Sequence, residues 1–226
     1  MRLRSVSPVT GSPARPPSYV AQFESPDLVA GIIDGTARPE DDPRWARSGA
    51  RDREEYAFWA GRSCGIACLR SILLDRVGGS PAPVALAREL LAAGGYVVHE
   101  DGVRGLVYGP FVDYLRTRWA IAAHVRDGYP APDLAADLRA GAWVIASVHS
   151  SIRDAPAPPP ARGGHLVLAY AAPGAHVVFH DPAGPTAERR AAVRLPIEVF
   201  DHYYARRGIV VPPPSSPDAK IRGSGS

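Results

Sequence analysis

Near Gly141 the hydrophobic period of this chain changes from helical to strand-like, and that switch restricts the folds open to it. Before it, apolar residues recur at helical spacing in four stretches. These are about Ser63 to Arg76, with Ser63 as N-cap and Gly78-Gly79 as stop; Val84 to Ala93, ended by Gly94-Gly95; Leu106 to Trp119; and Pro132 to Ala140. After it come short apolar runs bounded by turn residues: Trp143 to Val148, His165 to Tyr170, Val177 to His180 and Ile209 to Val211. Ala172-Pro173-Gly174 suits a hairpin connection between the second and third runs, and Leu195 to Arg206, with Pro196 near its start, predicts a final short helix. Helices first and an antiparallel sheet afterwards is an α+β order.

The first predicted helix starts on a thiol. Unpaired backbone N–H groups and the positive end of the macrodipole stabilise a thiolate at Cys64, which is where a nucleophile belongs. A matching base lies about a hundred residues on, in Gly163-Gly164-His165-Leu166-Val167-Leu168, followed by His176-Val177-Val178-Phe179-His180-Asp181-Pro182. Cysteine, histidine and carboxylate in that order describe a papain-type acyl-transfer site.

Composition narrows the chemistry. The 226 residues, 46% hydrophobic and 22% charged, are enough for one well-buried domain. Its predicted extent is 18–212, between Pro- and Ser-rich flexible ends at 1–17 and 213–226. The net charge of +3, from 26 basic and 23 acidic residues, is scattered, so no nucleic acid partner is expected. Lys220 is the only lysine, asparagine is absent and Gln22 is the only glutamine. A lysine mechanism is therefore disfavoured, an asparagine cannot complete a Cys-His site, and only Gln22 can supply a side-chain carboxamide. Neither a secretory signal nor a membrane-spanning run is visible, and Cys64 and Cys68, four residues apart on one helix, suit neither a mutual disulfide nor a structural zinc site. A cytoplasmic, cofactor-independent protein with no membrane partner is expected. Nothing in the sequence specifies an oligomeric state.

Cys64-Gly65-Ile66-Ala67-Cys68-Leu69, together with His165-Leu166-Val167-Leu168 leading to Asp181-Pro182 sixteen residues after His165, resembles the papain-like cysteine peptidases that process double-glycine leader peptides of bacteriocins, and their stand-alone relatives. The first segment is similar to that family's Cys-Gly-x-Ala-Cys-Leu nucleophile helix, the second to its His-hydrophobic strand and Asp-Pro turn. The resemblance covers most of Cys64 to Pro182. It implies a papain-like fold with the nucleophile helix packed on the C-terminal sheet, Cys64 as nucleophile, His165 as general base and acid, and Asp181 as the carboxylate that orients the imidazole. The family places an oxyanion glutamine six residues before the cysteine, where this chain has Phe58, whose ring cannot donate. Pro17-Ser18-Tyr19-Val20-Ala21-Gln22 resembles the family's Pro-hydrophobic-Gln lead-in, separated from Cys64 by an insertion from about Phe23 to Arg62. The resemblance thus implies that Gln22 returns to the site.

Other readings of the same residues stand beside these. Cys64 can be a small buried residue, Cys68 reads as core, and Asp181 before Pro182 can be a turn former. His165, His180 and Asp181 could ligate a metal, although His180 and Asp181 face opposite sides of a strand. Trp45, Phe58 and Trp59 could wall an acyl pocket or belong to the core, and Asp154 to Arg162 could be a lid or a solvated connection. Three functions follow: a hydrolase cleaving an amide or peptide bond through an acyl-thioester, acting on a peptide or on an amide or thioester small molecule; an acyltransferase or cyclase with the same site; and a non-catalytic peptide-binding module.

Overall fold

The computed structural model describes residues 16–100 and 102–214. Of the predicted flexible ends, 1–15 and 215–226 lie outside the described residues. Pro17 does not behave as a flexible end: it is buried, and its carbonyl accepts from His180 Nε2 at 2.8 Å.

Helices dominate the first half and strands the second. In chain order the elements are α1 (Val29–Asp34), α2 (Arg53–Ala60), α3 (Cys64–Arg76), α4 (Pro83–Ala92), β1 (Tyr96–His99), β2 (Gly102–Gly105), α5 (Tyr108–Trp119), β3 (His124–Asp127), α6 (Ala131–Arg139), β4 (Trp143–Val148), β5 (His165–Ala171), β6 (His176–His180), α7 (Ala187–Arg190), β7 (Val193–Pro196), α8 (Ile197–Tyr203) and β8 (Tyr204–Val211). β1 and β2 form a separate antiparallel hairpin, and the other six strands form one antiparallel sheet in the order β3-β8-β4-β5-β6-β7. The α+β class predicted from the change of period is the one observed.

β4 shows why the sheet positions the rest. All six of its residues are buried, and they alternate between two cores. Val144, Ala146 and Val148 join Leu134, Leu138, Phe179 and Phe200 under α6 and α8, while Trp143 and Ile145 join Ile66, Leu69, Ile72 and Leu73 of α3, with Leu86 and Phe111 of α4 and α5. A sheet covered on both faces reads as a continuous apolar run rather than an alternating one. The four α3 side chains are fully buried. Each contributes about 2 kcal/mol by removal from water, enough to fix the helix against β5.

The predicted final helix is shorter than 195–206. Leu195 lies in β7, and Tyr204 to Arg206 already belong to β8, which pairs with both β3 and β4 and so pulls the chain into extended form. The segment between Gln22 and α3 is organised around Asp42. This buried carboxylate accepts from Ser25 N at 2.9 Å, Ser25 Oγ at 2.6 Å, Tyr56 Oη at 2.5 Å and Arg44 N at 2.8 Å. Four donors offset the cost of desolvating the charge, and together they tie α2 to the chain that precedes α1.

Candidate active site

Cys64 is the first residue of α3 and is half-buried. Ser63 does not cap the helix with its side chain as predicted: its hydroxyl donates to Trp59 O at 2.6 Å, binding the end of α2 instead. The first helical hydrogen bond runs from Ala67 N to Ser63 O, so the N–H groups of Cys64, Gly65 and Ile66 lie outside the helical ladder. Together with the macrodipole they make this end attractive to negative charge.

β5 begins on His165, and its register places β6 alongside, with Leu168 opposite His180. Asp181 follows β6 directly, so the hairpin returns it to the start of β5. His165 Nε2 donates to Asp181 Oδ1 at 2.7 Å, and both side chains are buried. With Nε2 so engaged, Nδ1 is the ring nitrogen left for Cys64, which lines the same cavity as His165. Gly163 and Gly164, at φ +85° and +94°, make the turn into β5 in a region that a side chain would strain.

Asp181 is held from several sides. Oδ1 also accepts from Ala183 N at 2.8 Å, and Oδ2 accepts from Arg153 Nε at 3.1 Å. Burial works against its charge, but the His165 charge and hydrogen bond, then Arg153, outweigh it and hold the carboxyl at about 2. Burial likewise opposes a charged His165, yet Asp181 and the Cys64 sulfur push it up to about 9. At Cys64 burial raises the thiol, and the hydrogen bond and charge of His165, with backbone groups of Leu166 and Gly65, bring it below its ordinary value. The arrangement therefore favours thiolate beside imidazolium. Cys68 takes the opposite course: burial pushes it well up, and its sulfur faces Leu166 O at 3.9 Å as a core residue.

Gln22 bridges the end of α2 and the Asp-Pro turn after β6. Its backbone N–H donates to Pro182 O and its Nε2 to Ala60 O, each at 2.7 Å. Ala60 ends α2, and Ser63 N also reaches its carbonyl. Among the described residues this is the one hydrogen bond of Nε2, which carries two protons.

A cavity of about 260 Å³ opens beside Cys64, lined by Leu106, Tyr108, Ser147, Gly164, Leu166 and Arg207 among others. Trp45, Phe58 and Trp59 do not wall it. Trp59 is buried against Tyr96 in the α3 core, while Arg62 lies over the ring of Phe58 and Arg53 over that of Trp45. Arg153 escaped sequence reading because it lies in a short 3-10 turn, Ser150–Asp154, just before the Ala- and Pro-rich stretch, with no motif around it. Tyr108 at the start of α5, Ser147 in β4 and Arg207 in β8 likewise sit in no motif. Among the described residues no group of three or more His, Cys, Asp or Glu could hold a metal ion. His180 is bonded to Pro17 O and Ala192 N, away from Asp181. No described helix is long and apolar enough to cross a membrane.

No protein-family model and no curated protein matches the chain. Among solved structures it is similar to one described as a C39-like peptidase from Bacillus anthracis, at 15% identity and a TM-score of 0.48, over 69% of this chain and 90% of that one. It is also similar to the peptidase domain of Streptococcus ComA, a bifunctional ABC transporter involved in quorum sensing, at 16% identity and a TM-score of 0.43, over 68% and 93%.

Proposed function

We propose that the chain is a cytoplasmic cysteine hydrolase that cleaves a peptide or amide bond through an acyl-thioester. The observation that carries this reading is His165, bonded to Asp181 through Nε2 and opening onto the same cavity as Cys64, whose thiol stands at the start of a helix.

The Cys64 thiolate attacks the carbonyl carbon, and the developing oxyanion receives the Cys64 N–H and the second proton of Gln22 Nε2. His165 Nδ1–H protonates the leaving nitrogen, the amine departs, and the acyl group stays on Sγ. Water then attacks the thioester, His165 takes its proton, and the carboxylic acid leaves with the Cys64 thiolate restored beside the imidazolium. Asp181 keeps its charge throughout, holding the tautomer and facing the imidazolium.

Iodoacetamide should label Cys64 at mildly acidic pH much faster than it labels a free peptide thiol, and Cys64→Ala should abolish both that label and turnover. Mass spectrometry of the native protein with a cleavable peptide should show an acyl adduct on Cys64, and products ending in a new carboxylate even when amines are added. Labelling no faster than that of a free thiol would overturn the reading.

A further inference from the structure

The cavity beside Cys64 contains a cation that the proposed chemistry does not use. Arg207 projects from β8, where it pairs with Asp127 of β3 and stands in the register shift on the β4 side. Its guanidinium carbon lies 6.0 Å from the Tyr108 ring centroid. A Cβ built on Gly163 would lie 3.8 Å from Arg207 Nη2, so the guanidinium reaches over the turn that leads into His165.

Among the described residues, no carboxylate forms an ion pair with Arg207. Asp127, its register partner in β3, accepts from Gly128 N instead, and the adjacent Arg206 is paired with Asp201 at 2.8 Å. Tyr108 and Ser147, which also line the cavity, bring neutral hydroxyls to it. Arg207 is therefore the cavity's uncommitted charge. Leu106 and Leu166 line the cavity nearest Gly65 and offer an aliphatic wall. At about 260 Å³ the space is smaller than a whole-ligand pocket and suits a single side chain.

Resting on the hydrolase reading above, we infer that this cavity is a subsite for an acidic residue flanking the scissile bond. Glutamate suits it best, its methylenes lying on Leu106 and Leu166 and its carboxylate meeting the planar fork of Arg207.

The test measures binding without turnover. The Cys64→Ala protein, checked for native circular dichroism, is titrated with fluorescein-labelled hexapeptides in which one Glu, Gln or Lys is stepped through an Ala-Gly background. At one position Glu should bind about tenfold more tightly than Gln, with the difference shrinking as salt rises. Adding Arg207→Gln should bring that ratio to about one, and Arg207→Glu should invert the order of Glu and Lys. Equal binding of Glu and Gln at every position, or a Glu preference that survives Arg207→Gln, overturns the inference. If the preference is present but the native protein cleaves none of the peptides it selects, the subsite stands and the hydrolase reading falls.

Discussion

Arg153 holds the second oxygen of Asp181, its Nε donating across 3.1 Å, while His165 holds the first at 2.7 Å. Arg153 Nη2 also lies 3.1 Å from His165 Nε2, so one carboxylate serves two cations that face each other. The guanidinium fixes the carboxylate and at the same time opposes the charge on the imidazole. Arg153→Leu should therefore slow turnover roughly ten- to a hundredfold through misplacement of Asp181, yet move the alkaline limb of kcat/KM upward, because the imidazolium loses a like charge. Arg153→Lys should return the limb towards its native position without restoring the full rate, since an ammonium lacks the fork. A purely structural Arg153 would leave the limb in place, which the pH profile of kcat/KM checks.

The pH dependence of stability has a definite sign. His165 is raised in the folded chain from its ordinary 6.5 to about 9, so its contribution is complete below 6.5 and is lost as pH rises through 9. Asp181 is lowered from 3.8 to about 2, so its contribution is complete above 3.8 and is lost as pH falls through 2. From these two groups thermal stability should be greatest between about pH 4 and 6.5 and should decline towards pH 9, the lowered Cys64 thiol offsetting part of that decline because its contribution grows as pH rises. His165→Gln should flatten that alkaline decline, which a series of melting curves would test.

Gln22 is expected to act on rate rather than on thiol reactivity. Gln22→Ala removes the proposed oxyanion donor and should cost about a hundredfold or more in kcat. Rapid iodoacetamide labelling of Cys64 should persist, because its thiolate is stabilised by His165 and the helix start. A loss of labelling equal to the loss of turnover would place Gln22 in the support of α2 and α3 instead, through its bond to Ala60 O.

What was legible follows from how local each signal is. β4 was predicted with the observed bounds because a six-residue apolar run between turns has few other uses, and α3 was predicted to within a residue from its period and glycine stop. The pairing of His165 with Asp181 was implied by the family resemblance, whose sixteen-residue interval a short hairpin can close. The chain between Gln22 and Cys64 was harder. Its helix α2 is announced by Asp52 and Glu55, and Asp52 does accept from Glu55 N at 2.8 Å, but the packing that stabilises it centres on Asp42, whose partners are spread from Ser25 to Tyr56. Arg153 and Arg207 reach the site only through tertiary structure, and an arginine among 25 carries no local mark of that use.

Gly65 separates access to the cavity from reactivity of the sulfur. It is buried in the first turn of α3, where alanine is intrinsically favoured over glycine by about 1 kcal/mol. A Cβ there would lie 3.0 Å from Leu166 Cδ1 and 3.2 Å from Leu106 Cδ2, so both leucines must give way, and both line the cavity. Because the clashing atoms are ends of flexible side chains, Gly65→Ala should fold with a melting temperature near the native one. The cavity, however, narrows. Peptides that place a side chain in it should lose about tenfold in kcat/KM, mainly through KM, while the small reagent iodoacetamide still modifies Cys64 at the native rate. Peptide kinetics and labelling measured on one preparation decide the matter. If both fall together, Gly65 supports the geometry of the thiol itself, and the wall formed by Leu106 and Leu166 is not what selects the substrate.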